Sequence, residues 1–222
     1  VVERARCLAP GKRNDFLGAR RGQLGAVALL ITFIVSACTL FTAPPPEAQR
    51  GMLTEVPSAP PRSESAVAAS ATLLIVTPRT QRAYDTTQMA YTVRDHEIAY
   101  YRDHEWGATP SEMMQPLLIT TLERTHRFAA VLAVPYGGRS TYVLQTQIGE
   151  LVQDFTQPTV AVRIAMHLQL THTVSRRAVS KEIVVTEPMS QRSPQAGIAA
   201  ANRATGKALQ EVAQFVLDNA ID

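Results

Sequence analysis

At 222 residues the chain has room for one domain of ordinary size plus tails. Its formal charge of +3 sits at the front: residues 1–37 carry six of the 22 Lys/Arg and two of the 19 Asp/Glu, which leaves the body near neutral. A near-neutral body without a basic stripe argues against nucleic acid as a partner, and aromatics at 6% point to a mostly aliphatic core.

The front end reads as a targeting segment. Arg4, Arg6, Lys12, Arg13, Arg20 and Arg21 precede a twelve-residue apolar run at 24–35 (LGAVALLITFIV), which is short for a membrane-spanning helix. Ser36 and Ala37 then lead into Cys38. Small residues before a cysteine, directly after an apolar run, resemble the bacterial lipobox. The expectation is a signal peptide over 1–37, diacylglycerol on the Cys38 thiol, cleavage before Cys38 and acylation, for instance with palmitate, of the new N-terminus. Three acyl chains anchor a protein stably where one does not. An uncleaved anchor with a chance cysteine is the simpler alternative, but charge, run length and small residues agree on lipidation. Cys7 departs with the signal, so the mature chain forms no intramolecular disulfide. Thr39 is not the aspartate associated with inner-membrane retention, which predicts an outer-membrane lipoprotein facing the periplasm. Residues 38–70, with six prolines between 44 and 61, read as a disordered tether.

The remaining 71–222 reads as one folded domain. Residues 72–77 (TLLIVT) form a compact apolar strand stopped by Pro78, and 88–93 (QMAYTV) alternate as a second. A short third strand at 98–101 is bracketed by two copies of Arg-Asp-His-Glu, at 94–97 and 102–105. Thr109, Pro110 and Glu112 have the order of a capping box with proline at the first helical position. Met113, Met114, Leu117, Leu118 and Leu122 follow at helical spacing. Pro116 conflicts with this helix and predicts a kink. Residues 128–134 fit a buried strand, and 135–140 (PYGGRS) a loop.

In the strand over 141–155, Tyr142, Leu144 and Ile148 face inward. Past Gly149 the phase shifts to Leu151 and Phe155, which predicts a β-bulge at the glycine. Val160, Val162, Ile164, Met166, Leu168 and Leu170 alternate without a break. Val179, Ile183 and Val185 return after a turn at Ser175-Arg176-Arg177, and the three strands form an antiparallel meander. Residues 194–220 read as a last helix. The expected fold class is α+β: a single mixed, largely antiparallel sheet with two main helices packed on one face.

No nucleophile or zinc-protease motif is present, and no cofactor motif. His96 and His104, set among Asp95, Glu97, Asp103 and Glu105, suggest a metal site on paper, but solvated strand ends account for them more simply, so none is assigned. His167 and His172 fall on opposite faces of one strand. Tyr100, Tyr101 and Trp106 are the candidate partner-binding residues, with a core role for Trp106 as the alternative.

The runs Met89-Ala90-Tyr91 and Ile98-Ala99-Tyr100-Tyr101, then Trp106, Pro110 and the helix over 114–122, together with Glu187-Pro188 and Ala199-Ala200-Ala201-Asn202, carry a resemblance. Over about 72–219 the sequence resembles the ABC-type transport auxiliary lipoproteins, the lipoprotein components of paraquat-inducible and related MCE-domain lipid transport systems. Pro116 departs from that pattern. The resemblance implies a non-enzymatic component that docks an MCE-domain protein, which works with an inner-membrane permease and ATPase. A lipid-binding shuttle that itself carries acyl chains is the alternative, and self-association into a homo-oligomer stays open.

Overall fold

The structure, a computed structural model, describes residues 48–58 and 71–220. The signal segment, Cys38 and the tether stretches 39–47 and 59–70 lie outside the described residues.

The long hairpins set the frame. In β8 (Ala161–His172), Val162, Ile164, Met166, Leu168 and Leu170 are all buried, while Arg163 and His167 between them are exposed. This period of two commits one face of the strand to the core. It pairs antiparallel with β7 (Tyr142–Asp154) and β9 (Ala178–Pro188) along nearly its whole length, as the meander reading expects. The bulge falls at Gly149: Ile148 lies opposite Met166 and Glu150 opposite Ala165, so the glycine is the extra residue. Buried positions accordingly change from Tyr142, Leu144 and Ile148 to Leu151, Gln153 and Phe155.

The other edge of β7 is shared by three short parallel strands in succession. β2 (Thr72–Ile75) sets Leu73 opposite Tyr142, β3 (Arg79–Thr80) sets Arg79 opposite Gln147, and β4 (Gln88–Thr92) sets Ala90 opposite Val152. β6 (Ala130–Ala133) extends the sheet outside β2. It is half-buried along its length, because it is an edge strand and not the buried strand expected for 128–134. Outside β4 lies β5 (Ala99–Trp106), which is twice the length expected and runs through the second Arg-Asp-His-Glu. That segment hides from period counting because of its register. β5 advances five residues, from Tyr100 to Glu105, while β4 advances two, from Ala90 to Gln88.

Helix α1 (Pro110–Glu123) starts as the sequence predicts. The Thr109 Oγ1 accepts from the Glu112 N–H, and the Glu112 carboxylate accepts from the Thr109 N–H at 2.9 Å. Pro116 sits inside the helix on its exposed side, so the Glu112 carbonyl that loses a donor is open to water. Helix α2 (Pro194–Asn219) packs on β8 and β9, and α1 packs beside it over β2, β6 and β7. Both helices cover one face of a single mixed sheet, and the core between them is largely aliphatic.

One expectation is overturned. Residues 48–58, assigned to the disordered tether, form a strap on the domain. β1 (Gln49–Gly51) pairs parallel with β5, and Leu53 is buried. The strap then follows α2 at helical spacing. Gln195 donates to the Gln49 side chain, Ile198 packs on Gly51, Asn202 grips residues 52–55, and Gly206 passes under Glu55. The Asn202 amide works like a strand neighbour: its Oδ1 accepts from the Thr54 N–H at 2.8 Å and the Glu55 N–H at 3.2 Å, while its Nδ2 donates to the Met52 carbonyl at 2.9 Å. Backbone pairing without apolar side chains leaves little trace in a Gln-Arg-Gly sequence. Gly51 lets Ile198 approach closely: a Cβ there would lie 2.7 Å from that side chain, which would have to turn away.

Candidate functional site

Covering one face of the sheet leaves the other open. On it the meander presents rows of polar side chains: Gln147, His167 and Glu182 stand opposite one another across β7, β8 and β9, as do Gln145, Gln169 and Ser180. Exposed Val184 sits beside Ala165 in the next row.

Towards the β4–β5 end this face deepens into a groove of about 500 Å³, with Tyr84, Ile98, Glu150, Asp154 and Arg163 among its lining residues. The Arg163 Nε lies 3.2 Å from the Glu150 carboxylate across the floor. Asp154 is turned inward on its own chain, accepting from the Thr156 N–H at 2.8 Å and the Thr156 hydroxyl at 2.7 Å. Burial, and then the Glu150 charge, push the Tyr84 phenol above its ordinary value, so it stays a neutral hydrogen-bond donor at neutral pH. Ile98, among the lining residues, is exposed at the rim. Nothing here pairs a nucleophile with a base. A paired ion, a phenol and an apolar rim are means of holding a surface.

The sequence candidates fall on two sides of the sheet. Tyr100 lies at the groove side, its hydroxyl donating to the Ala83 carbonyl at 2.7 Å. Tyr101 is on the helix side, in a cluster with Tyr91 (ring centroids 4.7 Å apart), and its hydroxyl donates to the Gln153 Oε1 at 3.0 Å. Burial, then Tyr91, push its pKa up to about 12. Trp106 is 4% exposed, packed near Gly197 and Ala201 of α2. The three therefore do not form one surface platform, and Trp106 takes its core alternative. The bulged register of β5 sends Tyr101 and Trp106 to the same side although they are five residues apart.

His96 stands in the β4–β5 turn with φ 66° and rims the groove, whereas the His104 ring lies 3.0 Å from the Gln195 amide on α2. Among the described residues no three of His, Cys, Asp and Glu group as a metal site requires. Nor, among the described residues, is any helix long and apolar enough to cross a membrane.

Asn202 is the structural residue whose role sequence reading misses. It appears in the Ala-Ala-Ala-Asn run, but its role requires the strap.

The profile of a protein family described as the ABC-type transport auxiliary lipoprotein component matches residues 53–213. The chain belongs to that family. The match begins inside the strap, at Leu53, so its second half is part of the family's domain. Among solved structures, the chain resembles protein XCC0632 from Xanthomonas campestris, with 21% identity and a TM-score of 0.66 over 77% of this chain and 94% of that one. An uncharacterized protein of known crystal structure matches with 10% identity and a TM-score of 0.62, over 77% and 99% of the two chains. At these identities the likeness establishes the shared fold. Comparison with curated proteins finds no match.

Proposed function

We propose that this lipoprotein is the non-enzymatic docking component of an MCE-type ABC lipid transporter. In this reading Cys38 is lipidated and holds the chain on the periplasmic face of the outer membrane. The open face of the sheet, with its groove, receives the MCE-domain protein that bridges from the inner-membrane permease and ATPase. The observation that carries the proposal is the family match over residues 53–213, joined to a sheet that is packed on one side only. A transport auxiliary needs a binding face and no turnover, and the groove's polar groups suit the first. The shuttle alternative has less behind it: the groove is lined by Glu150, Asp154, Arg163 and Tyr84, whereas a pocket for acyl chains is walled mainly by apolar side chains.

Co-purification tests the reading. Tagged full-length chain, extracted in mild detergent from its own cells, is expected to retain an MCE-domain protein. Arg163→Glu, which sets two like charges across the groove floor, is expected to reduce that retention at least about tenfold. Wild-type chain that never captures the MCE protein counts against docking. Cys38→Ser is expected to move the protein out of the membrane fraction and to abolish labelling by radioactive palmitate; a labelled, membrane-bound Ser variant counts against the anchor.

A further inference from the structure

The far end of the sheet from the groove carries a second surface. The loop 135–141 and the turn 173–177 are zipped together there: the Thr173 N–H donates to the Thr141 carbonyl at 2.9 Å, and the Thr173 hydroxyl to the Ser140 carbonyl at 2.6 Å. This ties the loop that carries Arg139 to the turn that carries Arg176 and Arg177, more than thirty residues away in sequence. All three are exposed, and none makes an ion pair among the described residues. Val174, at the crest of the turn, is 84% exposed, the most exposed of the large apolar side chains described, and Tyr136 is 42% exposed. Gly138 lets the Tyr136 ring lie over the loop, since a Cβ there would collide with it.

The surroundings are basic as well. The sequence has no Asp or Glu from Arg124 to Gly149, and none from Phe155 to Lys181. At this end the last turn of α2 brings Asp218, which the Gln214 amide engages at 2.7 Å, and the end of α1 brings Glu123, Arg124 and His126. The carboxylates of the groove, Asp95, Glu97, Glu150 and Asp154, belong to the opposite end. Arg176 also holds φ 58°, a left-handed conformation that glycine or asparagine adopts more easily.

We propose that this tip binds an anionic lipid surface. Three unpaired guanidiniums match phosphate headgroups in charge and in geometry, and Val174 and Tyr136 insert at the level of the headgroups. An extended apolar patch is absent from the tip, so the contact is shallow and electrostatic, and it weakens with salt. The inference goes beyond the transporter reading and does not rest on it, because it concerns the other end of the domain.

Vesicle co-sedimentation of the unit from Glu47 onward tests it; this unit closes its own core and lacks the acyl chains that would bind any bilayer. Binding is expected to phosphatidylcholine vesicles containing phosphatidylglycerol, and not to pure phosphatidylcholine. Each arginine contributes about fivefold, so the triple substitution Arg139→Ala, Arg176→Ala, Arg177→Ala weakens binding about a hundredfold. Val174→Asp weakens it about tenfold, and Arg94→Ala, at the groove end, leaves it unchanged. Melting curves establish that each variant is folded. No binding to anionic vesicles, equal binding to both kinds, or a folded triple variant that binds as tightly as the wild type overturns the proposal. If the vesicles are ignored while the triple substitution weakens capture of the MCE protein, the tip is a protein-docking surface and the lipid proposal fails.

Discussion

Replacing Glu187 with glutamine lowers the unfolding free energy by about 2 kcal/mol at neutral pH, and the loss shrinks as the solution is acidified. Glu187 is the buried carboxylate of β9, with 7% of its side chain exposed. It accepts from the Lys207 Nζ at 2.5 Å and from the Arg203 Nε at 2.7 Å, and Arg203 also donates to the Pro188 carbonyl at 2.8 Å. Together these contacts fasten the end of the meander to α2. The Lys207 hydrogen bond, then that of Arg203, hold the carboxyl below its usual range, although burial pulls the other way. The magnitude stays near 2 kcal/mol because the cations are themselves 45% and 61% exposed and return to water when released. A depressed carboxyl contributes stability above its unfolded pKa, about 4.3, and loses it as pH falls through the folded value. Urea unfolding of wild type and variant should therefore differ at pH 7 and converge in acid. A difference that is constant with pH would assign the effect to packing and not to charge.

Asn202→Leu should loosen the strap without unfolding the domain. Three strap groups, the Thr54 and Glu55 amides and the Met52 carbonyl, lose their partner together, and a branched side chain replaces the amide. At about 1 kcal/mol per bond, amide hydrogen exchange over 52–56 should accelerate by about a hundredfold. Exchange in β8, whose core-facing residues lie beneath α2, should stay slow. Acceleration in β8 as well would mean that the strap and the sheet open as one unit. Retained protection in the strap would place its stability in Leu53 and the β1–β5 pairing instead.

Legibility in the sequence follows how local each interaction is. The meander, the Gly149 bulge, the capping box and the final helix are local, and apolar spacing fixes them within a few residues. The parallel pairings of β2, β3 and β4 with β7 join segments some sixty to seventy residues apart and leave no spacing to read. β5 escaped because its offset against β4 breaks the period of two at Arg-Asp-His-Glu. The strap escaped because backbone pairing and the Asn202 amide hold much of it. The groove and the basic tip share one cause: Glu150 and Arg163, or the loop of Arg139 and the turn of Arg176, are brought together only when strands pair. A near-neutral average over the body also hid the acid-free stretches 124–149 and 155–181, whose loop and turn meet at the tip.

The strap also sets a radius. With Cys38 as the attachment point, the leash runs only to Ala48, ten residues later, and covers at most about 36 Å at full extension. Were the chain free as far as Ala71, the same limit would be about 120 Å. The thirteen residues of β7 alone span about 44 Å, so the domain is longer than its leash. Under the proposed lipidation of Cys38 the domain would be confined to a thin shell above the bilayer, where even a weak surface contact is met at high effective concentration. Release of the whole strap, with its β1–β5 pairing, Leu53 and the Asn202 contacts, would widen that shell about threefold.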